Sequence, residues 1–131
     1  MTIVEFGRAL SKLLKTKAAI RILRSYDLDD WGFGGCWILA DGLKKAIGQK
    51  AALYYVGSPN GVEHVAVRIG GVYLDQDGAQ TGVRLRRKLG VDDTFLAPFD
   101  ARAKKTAAGG GTYWSEQAAD DVADLLVKLA Q

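Results

Sequence analysis

Apolar residues recur at helical spacing near both ends and in the middle of the chain, with an alternating stretch between. Ile3, Phe6, Leu10, Leu13 and Leu14 fall on one stripe behind Thr2, whose hydroxyl can accept an orphan amide hydrogen, so a first helix is expected. Ala18 to Leu23 fits two patterns. Ala18, Ala19, Ile20 and Leu23 suit a helix, whereas Ile20-Arg21-Ile22 alternates as a strand does. Residues 25–35 read as a loop, because Asp27, Asp29, Asp30 and the glycines Gly32, Gly34 and Gly35 break any periodicity. From Cys36 the helical pattern returns, with Leu39, Leu43, Ala46 and Ile47 on one side and Gly48 as its stop.

Residues 51–56 read as a strand, followed by Ser58-Pro59-Asn60-Gly61. That is a turn: proline presets one φ and Asn-Gly tolerates positive φ. The runs 64–69 and 72–75 are joined by Gly70-Gly71, the signature of a two-residue hairpin. Residues 84–89 fit a short helix or a further strand. Residues 104–111 read as a loose connection, favoured over a mobile lid, because Gly109-Gly110-Gly111 offers no side chain to pack. Ser115 caps a terminal helix with Val122, Leu125, Leu126 and Leu129 facing inward. No repeat or linker interrupts this order, so residues 1–131 read as a single α+β domain with a mostly antiparallel sheet.

Composition narrows the function classes. With 48% hydrophobic and 25% charged residues in 131, the chain is that of one globular domain, able to bury roughly two thirds of its unfolded surface. A net charge of +3 and a pI near 9.0 are a mild basic bias that does not itself imply nucleic acid. The single cysteine excludes an internal disulfide, and one Cys with one His cannot supply the usual ligands of a structural zinc, so no metal is expected. Gly32-Phe33-Gly34-Gly35 lacks dinucleotide spacing and a P-loop lysine, so no cofactor is expected either.

Glu5, Arg8, Lys12 and Lys15 interrupt the early apolar residues, leaving no signal-peptide core and no apolar run long enough for a membrane span. The expected setting is cytoplasmic, although a protein delivered into another cell would show the same pattern. A basic cluster, Arg84, Arg86, Arg87 and Lys88, with Arg102, Lys104 and Lys105 beyond it, offers a surface to an acidic partner. Without interleaved aromatics, nucleic acid is disfavoured.

The hairpin brings chemistry together. If Gly70-Gly71 is the loop, Ile69 pairs with Val72, Ala66 lies opposite Asp75 and His64 opposite Asp77. His64, Asp75 and Asp77 then project from one side, and Val65, Val67, Ile69, Val72 and Leu74 form a core face on the other. Cys36 opens a helix, where unpaired amides and the helix dipole stabilise a thiolate, and its own N–H could serve an oxyanion hole. A thiol, an imidazole and a carboxylate are the parts of a nucleophile–base–orienter set. Each has an ordinary alternative, the cysteine as a small core residue and the histidine as a satisfied strand residue.

Gly34-Gly35-Cys36-Trp37 before a helix, then His64-Val65-Ala66-Val67 and Tyr73-Leu74-Asp75, resembles the papain-like cysteine-peptidase superfamily, in particular its transglutaminase-like and other compact bacterial or phage branches. The resemblance covers residues 30–78. It implies a papain-like fold with the cysteine-bearing central helix packed on a small antiparallel sheet. It also implies catalytic Cys36, His64 and Asp75, the eleven-residue step from His64 to Asp75 matching short transglutaminase-like domains, with Asp77 as the alternate carboxylate. Trp31, Phe33 and Trp37 are candidates for a substrate wall, against the commoner role of such aromatics as core. The chain departs from the pattern in having no glutamine upstream of Cys36, so the second oxyanion donor is unassigned.

The implied function is thiol-dependent acyl chemistry on a protein or peptide substrate: hydrolysis of a peptide, isopeptide or glutamine amide, deamidation or transfer. Hydrolysis is the default. The competing reading is a non-catalytic binding or inhibitor protein on the same fold, phage-encoded, acting through the Arg84–Lys88 surface.

Overall fold

The structure is a computed structural model that describes residues 1–130. Helix α1 (Ile3–Leu13) begins with a reciprocal cap. Thr2 Oγ1 accepts from the Glu5 amide at 3.1 Å, and Glu5 Oε1 accepts from the Thr2 amide at 3.2 Å. The ambiguous segment that follows is helical, α2 (Lys17–Ser25), capped by Thr16. Helix wins there because Ala19 and Leu23, four residues apart, are the buried pair, whereas strand pairing would have buried Ile20 and Ile22 together.

The central helix α3 (Cys36–Ile47) has Cys36, Trp37, Ile38, Leu39, Ala40, Gly42 and Leu43 buried, so it is covered on nearly every side. It lies between the sheet and the terminal helix α6 (Glu116–Ala130). A Cβ at Gly42 would stand 2.4 Å from Val122 Cγ1, so glycine is what lets these two helices approach.

The five strands β1 (Ala52–Ser58), β2 (Gly61–Ile69), β3 (Val72–Asp75), β4 (Gly78–Gln80) and β5 (Phe95–Pro98) form one sheet in the order β4-β3-β2-β1-β5, with every pair antiparallel. The central hairpin has the register its turn implies: Ile69 opposite Val72 and Val67 opposite Leu74, with Gly70 at a φ of 61°. One face buries Val65, Val67 and Leu74 against α1, α2, α3 and α6; the other buries Val56, Ala66 and Tyr73 under Leu85 of α4 (Gly82–Arg87).

The segment expected to be a loose connection is instead largely helix α5 (Ala101–Gly109). Asp100 caps it by accepting from the Ala103 amide at 2.9 Å, and Ala103 and Ala107, again four apart, enter the core. Only its end, from Gly110, is irregular. Residues 84–89, open between helix and strand, are mostly α4. Among the described residues the molecule has six helices and a five-stranded antiparallel sheet, the α+β class that the sequence implies. No helix among them is long and apolar enough to cross a membrane.

Candidate active site

The loop before α3 is folded back on one aspartate. Asp30 Oδ1 accepts from the Phe33 amide, and the Asp30 carbonyl accepts from the Gly35 amide at 3.1 Å. Gly34 takes a φ of 91°, and a Cβ at Gly35 would sit 2.7 Å from the Asp30 carbonyl oxygen, so both positions require glycine. The buried indole of Trp31 pins the loop to the end of α1 by donating to the Leu14 carbonyl at 3.2 Å. Cys36 thereby becomes the first residue of α3. Gly35 offers no side-chain cap, which leaves the first amides of the helix without a side-chain acceptor.

His64 lies on β2 and Asp75 ends β3. His64 Nε2 stands 2.8 Å from Asp75 Oδ2, with both side chains 1% exposed. A carboxylate only accepts, so Nε2 carries the hydrogen and Nδ1 is the nitrogen left for chemistry. Nδ1 has no hydrogen-bond partner. The Cys36 thiol lies close enough to favour the protonated ring without completing a well-formed hydrogen bond to it.

Burial disfavours the imidazolium, but the hydrogen bond to Asp75, the nearby Cys36 sulfur and the charge of the carboxylate outweigh it, and the pKa of His64 is raised to about 9. Burial likewise opposes the Asp75 carboxylate, and His64 and Lys88 reverse the balance, holding its pKa down to about 2.

Asp75 is saturated with donors. Oδ1 accepts from Gln80 Nε2 at 2.6 Å and from the Asp77 amide at 2.9 Å; Oδ2 accepts from His64 and from the Lys88 ammonium. The extended register that would set His64 opposite Asp77 is not reached, because β3 stops at Asp75, which pairs with Gly78 of β4. The Asp77 side chain is 59% exposed and bonds Lys88 Nζ at 2.8 Å instead. Of the two carboxylates, the structure brings Asp75 to the histidine.

The three candidate wall aromatics do not form one wall. Trp31 and Phe33 line a cavity of about 410 Å³ with Ser11, Leu14, Gly32 and Gln76, between the loop leading to Cys36 and the turn after Asp75. Trp37 points elsewhere, stacked on Trp114 with ring centres 5.7 Å apart and edge-on to Phe99. Cys36 itself is 6% exposed and does not line that cavity.

Lys88 and Gln80 are the site residues that sequence reasoning missed. Lys88 had been grouped with the basic cluster, and it stands thirteen positions from Asp75 across an unexpected strand, so no spacing pointed to it. The cluster is correspondingly smaller as a free surface. Arg86 Nη1 donates to the Thr94 carbonyl at 3.2 Å, leaving Arg84 and Arg87 without ion pairs among the described residues. No group of three His, Cys, Asp or Glu suited to a metal occurs among the described residues.

Compared with known protein families, curated proteins and solved structures, the chain matches none.

Proposed function

We propose that this protein is a small cysteine enzyme of papain-like organisation that performs acyl chemistry on a protein or peptide substrate, with hydrolysis as its default outcome. The observation that carries the reading is the buried His64–Asp75 pair at 2.8 Å with its free ring nitrogen beside the only thiol in the chain. A general base needs one ring nitrogen unengaged while the other is held by an orienting carboxylate, which is the arrangement here.

The roles follow from the atoms. His64 Nδ1 takes the proton of Cys36 Sγ, and the thiolate attacks the substrate carbonyl carbon, forming a C–S bond. The first amides of helix α3, Cys36 N–H among them, carry no side-chain cap and would be the donors to the developing oxyanion. Collapse breaks the C–N bond, and the imidazolium returns its proton to the leaving amine. Water, deprotonated by the neutral imidazole, then attacks the thioester carbonyl. The C–S bond breaks, the acid is released and the thiol is restored. An amine in place of water gives transfer. Asp75 keeps the proton on Nε2 and compensates the ring's charge throughout. Such a thiol suits a reducing, cytoplasmic setting.

The loop leading to Cys36 is where a substrate would first meet the protein, with Phe33 85% exposed at the rim of the cavity it lines. The test is intact-mass detection of an acyl adduct on Cys36 from activated peptide esters and amides, with hydroxylamine capture of the acyl group. Wild type forms the adduct and turns over. Cys36→Ser keeps the fold and loses both; retention of turnover by that variant ends the proposal.

The near-complete cover over Cys36 and His64 favours a second reading, a non-catalytic binding or inhibitor protein on the same scaffold. Its contact would be Arg84 and Arg87, and binding would survive Cys36→Ser and fail on reversal of those two charges.

A further inference from the structure

The carboxylate oxygen that faces His64 is not reserved for it. Lys88, at the C-terminal cap of α4, brings its ammonium to the same Asp75 Oδ2, and Asp77 Oδ2 holds that ammonium at 2.8 Å from its other side. The lysine is delivered from a fixed point. Thr81 caps α4 by accepting from the Arg84 amide, Leu85 is fully buried beneath the helix, and the negative end of the helix favours a cation there. Its side chain is 21% exposed, so the ammonium sits at the edge of the buried pair and not inside it.

We propose that Lys88 is a positioning residue that acts on His64 through Asp75: by sharing Oδ2 it limits how strongly the carboxylate holds the imidazolium, and Asp77 sets how much of the ammonium is free to do so. This rests on the reading of Cys36, His64 and Asp75 as a working set and adds the element that tunes it.

The charged and polar groups facing the carboxylate come from four directions: His64 from β2, Gln80 from β4, the Asp77 amide from the intervening turn, and Lys88 from α4. Cys36 from α3 lies near the ring. Gln80 and the amide are neutral, so Lys88 is the one other cation at this carboxylate among the described residues. Two cations on one oxygen repel. Removing the ammonium leaves the whole negative charge to the imidazolium and strengthens it as an acid–base partner. Its proton should then be lost only at higher pH, by about one unit, the lower end of what a charge at contact distance produces.

The experiment is an NMR titration of the His64 ring, unambiguous because the chain has one histidine, together with the pH dependence of Cys36 alkylation. In Lys88→Met the His64 midpoint should rise by about one unit. In Lys88→Arg, which keeps the charge, it should stay near wild type. In Asp77→Asn, an exposed change that leaves the fold intact, the ammonium passes wholly to Asp75 and the midpoint should fall. Equal midpoints in wild type, Lys88→Met and Asp77→Asn overturn the inference. If Lys88→Met does not fold, Asp77→Asn decides it alone, and an unmoved midpoint there is fatal. Failure of the underlying reading looks different: wild-type alkylation would then be indifferent to His64→Ala, whatever the midpoints do.

Discussion

Asp75→Asn is the sharpest perturbation of the site, because every position around the carboxylate is a donor. If the new amide group takes the place of Oδ1 it faces Gln80 Nε2 and the Asp77 amide; if it takes the place of Oδ2 it faces His64 Nε2 and Lys88. Either way an N–H confronts two donors. Breaking a buried pair by removing one partner costs about 3–5 kcal/mol. Lys88 can turn to water and His64 can become neutral, so the lower end, about 3 kcal/mol, is expected. With a urea m-value of roughly 1–3 kcal/mol/M, the unfolding midpoint should fall by about 1–3 M.

The loss must also depend on pH. His64, raised from 6.5 to about 9 in the folded state, contributes stability that is fully present below 6.5 and disappears as pH rises through 9. Asp75, lowered from 3.8 to about 2, contributes stability present above 3.8 and lost as pH falls through 2. The gap between wild type and Asp75→Asn should therefore be widest between pH 3.8 and 6.5 and narrow on both sides. Urea unfolding followed by tryptophan fluorescence across that range measures it. A gap below about 0.5 kcal/mol at its widest, within the scatter of ordinary surface changes, or one constant with pH, would mean that Asp75 is not held by a buried charge pair.

Other consequences are simpler. Gly42→Ala should destabilise the protein by about 1–3 kcal/mol, since the added Cβ meets Val122 Cγ1 at 2.4 Å; Val122→Ala in the same chain should recover part of it, read by urea unfolding. Phe33→Ala should leave stability within about 0.5 kcal/mol because the ring is 85% exposed, yet raise KM for any acyl substrate that enters past the loop, measured by steady-state kinetics.

What the sequence discloses follows the strength of its local signals. The stripe from Ile3 to Leu14, the helix opening at Cys36 and the Gly70-Gly71 hairpin are carried by large apolar residues or by turn chemistry, and each is found where expected. Helix α5 was not legible because its buried face is only Ala103 and Ala107, set among lysines and running out into Gly109-Gly110-Gly111. Strands β4 and β5 are three and four residues long, too short to show a period. That His64, Asp75 and Asp77 share one side of the hairpin was readable from its register, which set His64 opposite Asp77; the preference for Asp75 came from the resemblance. Preferring Asp75 to Asp77 geometrically required knowing where β3 ends, which pairing with Gly78 decides. Lys88 and Gln80 arrive at Asp75 on elements that were ambiguous or unseen, so their contacts had no sequence signature. Trp37, a candidate for the substrate wall, instead packs on Trp114 and Phe99 and leaves Trp31 and Phe33 to line the cavity.

Whether Cys36 and His64 act as a pair is read from the rate of Cys36 alkylation by iodoacetamide as a function of pH in wild type and His64→Ala. The pH dependence, and not the absolute rate, is the readout, because the thiol is nearly covered. If the pair works, alkylation in wild type exceeds that in His64→Ala most strongly where the imidazole is protonated, and the two pH profiles differ in shape. Identical pH profiles in the two proteins, both rising only near the ordinary thiol range of about 8.5, would contradict it and leave a buried cysteine beside a strand histidine.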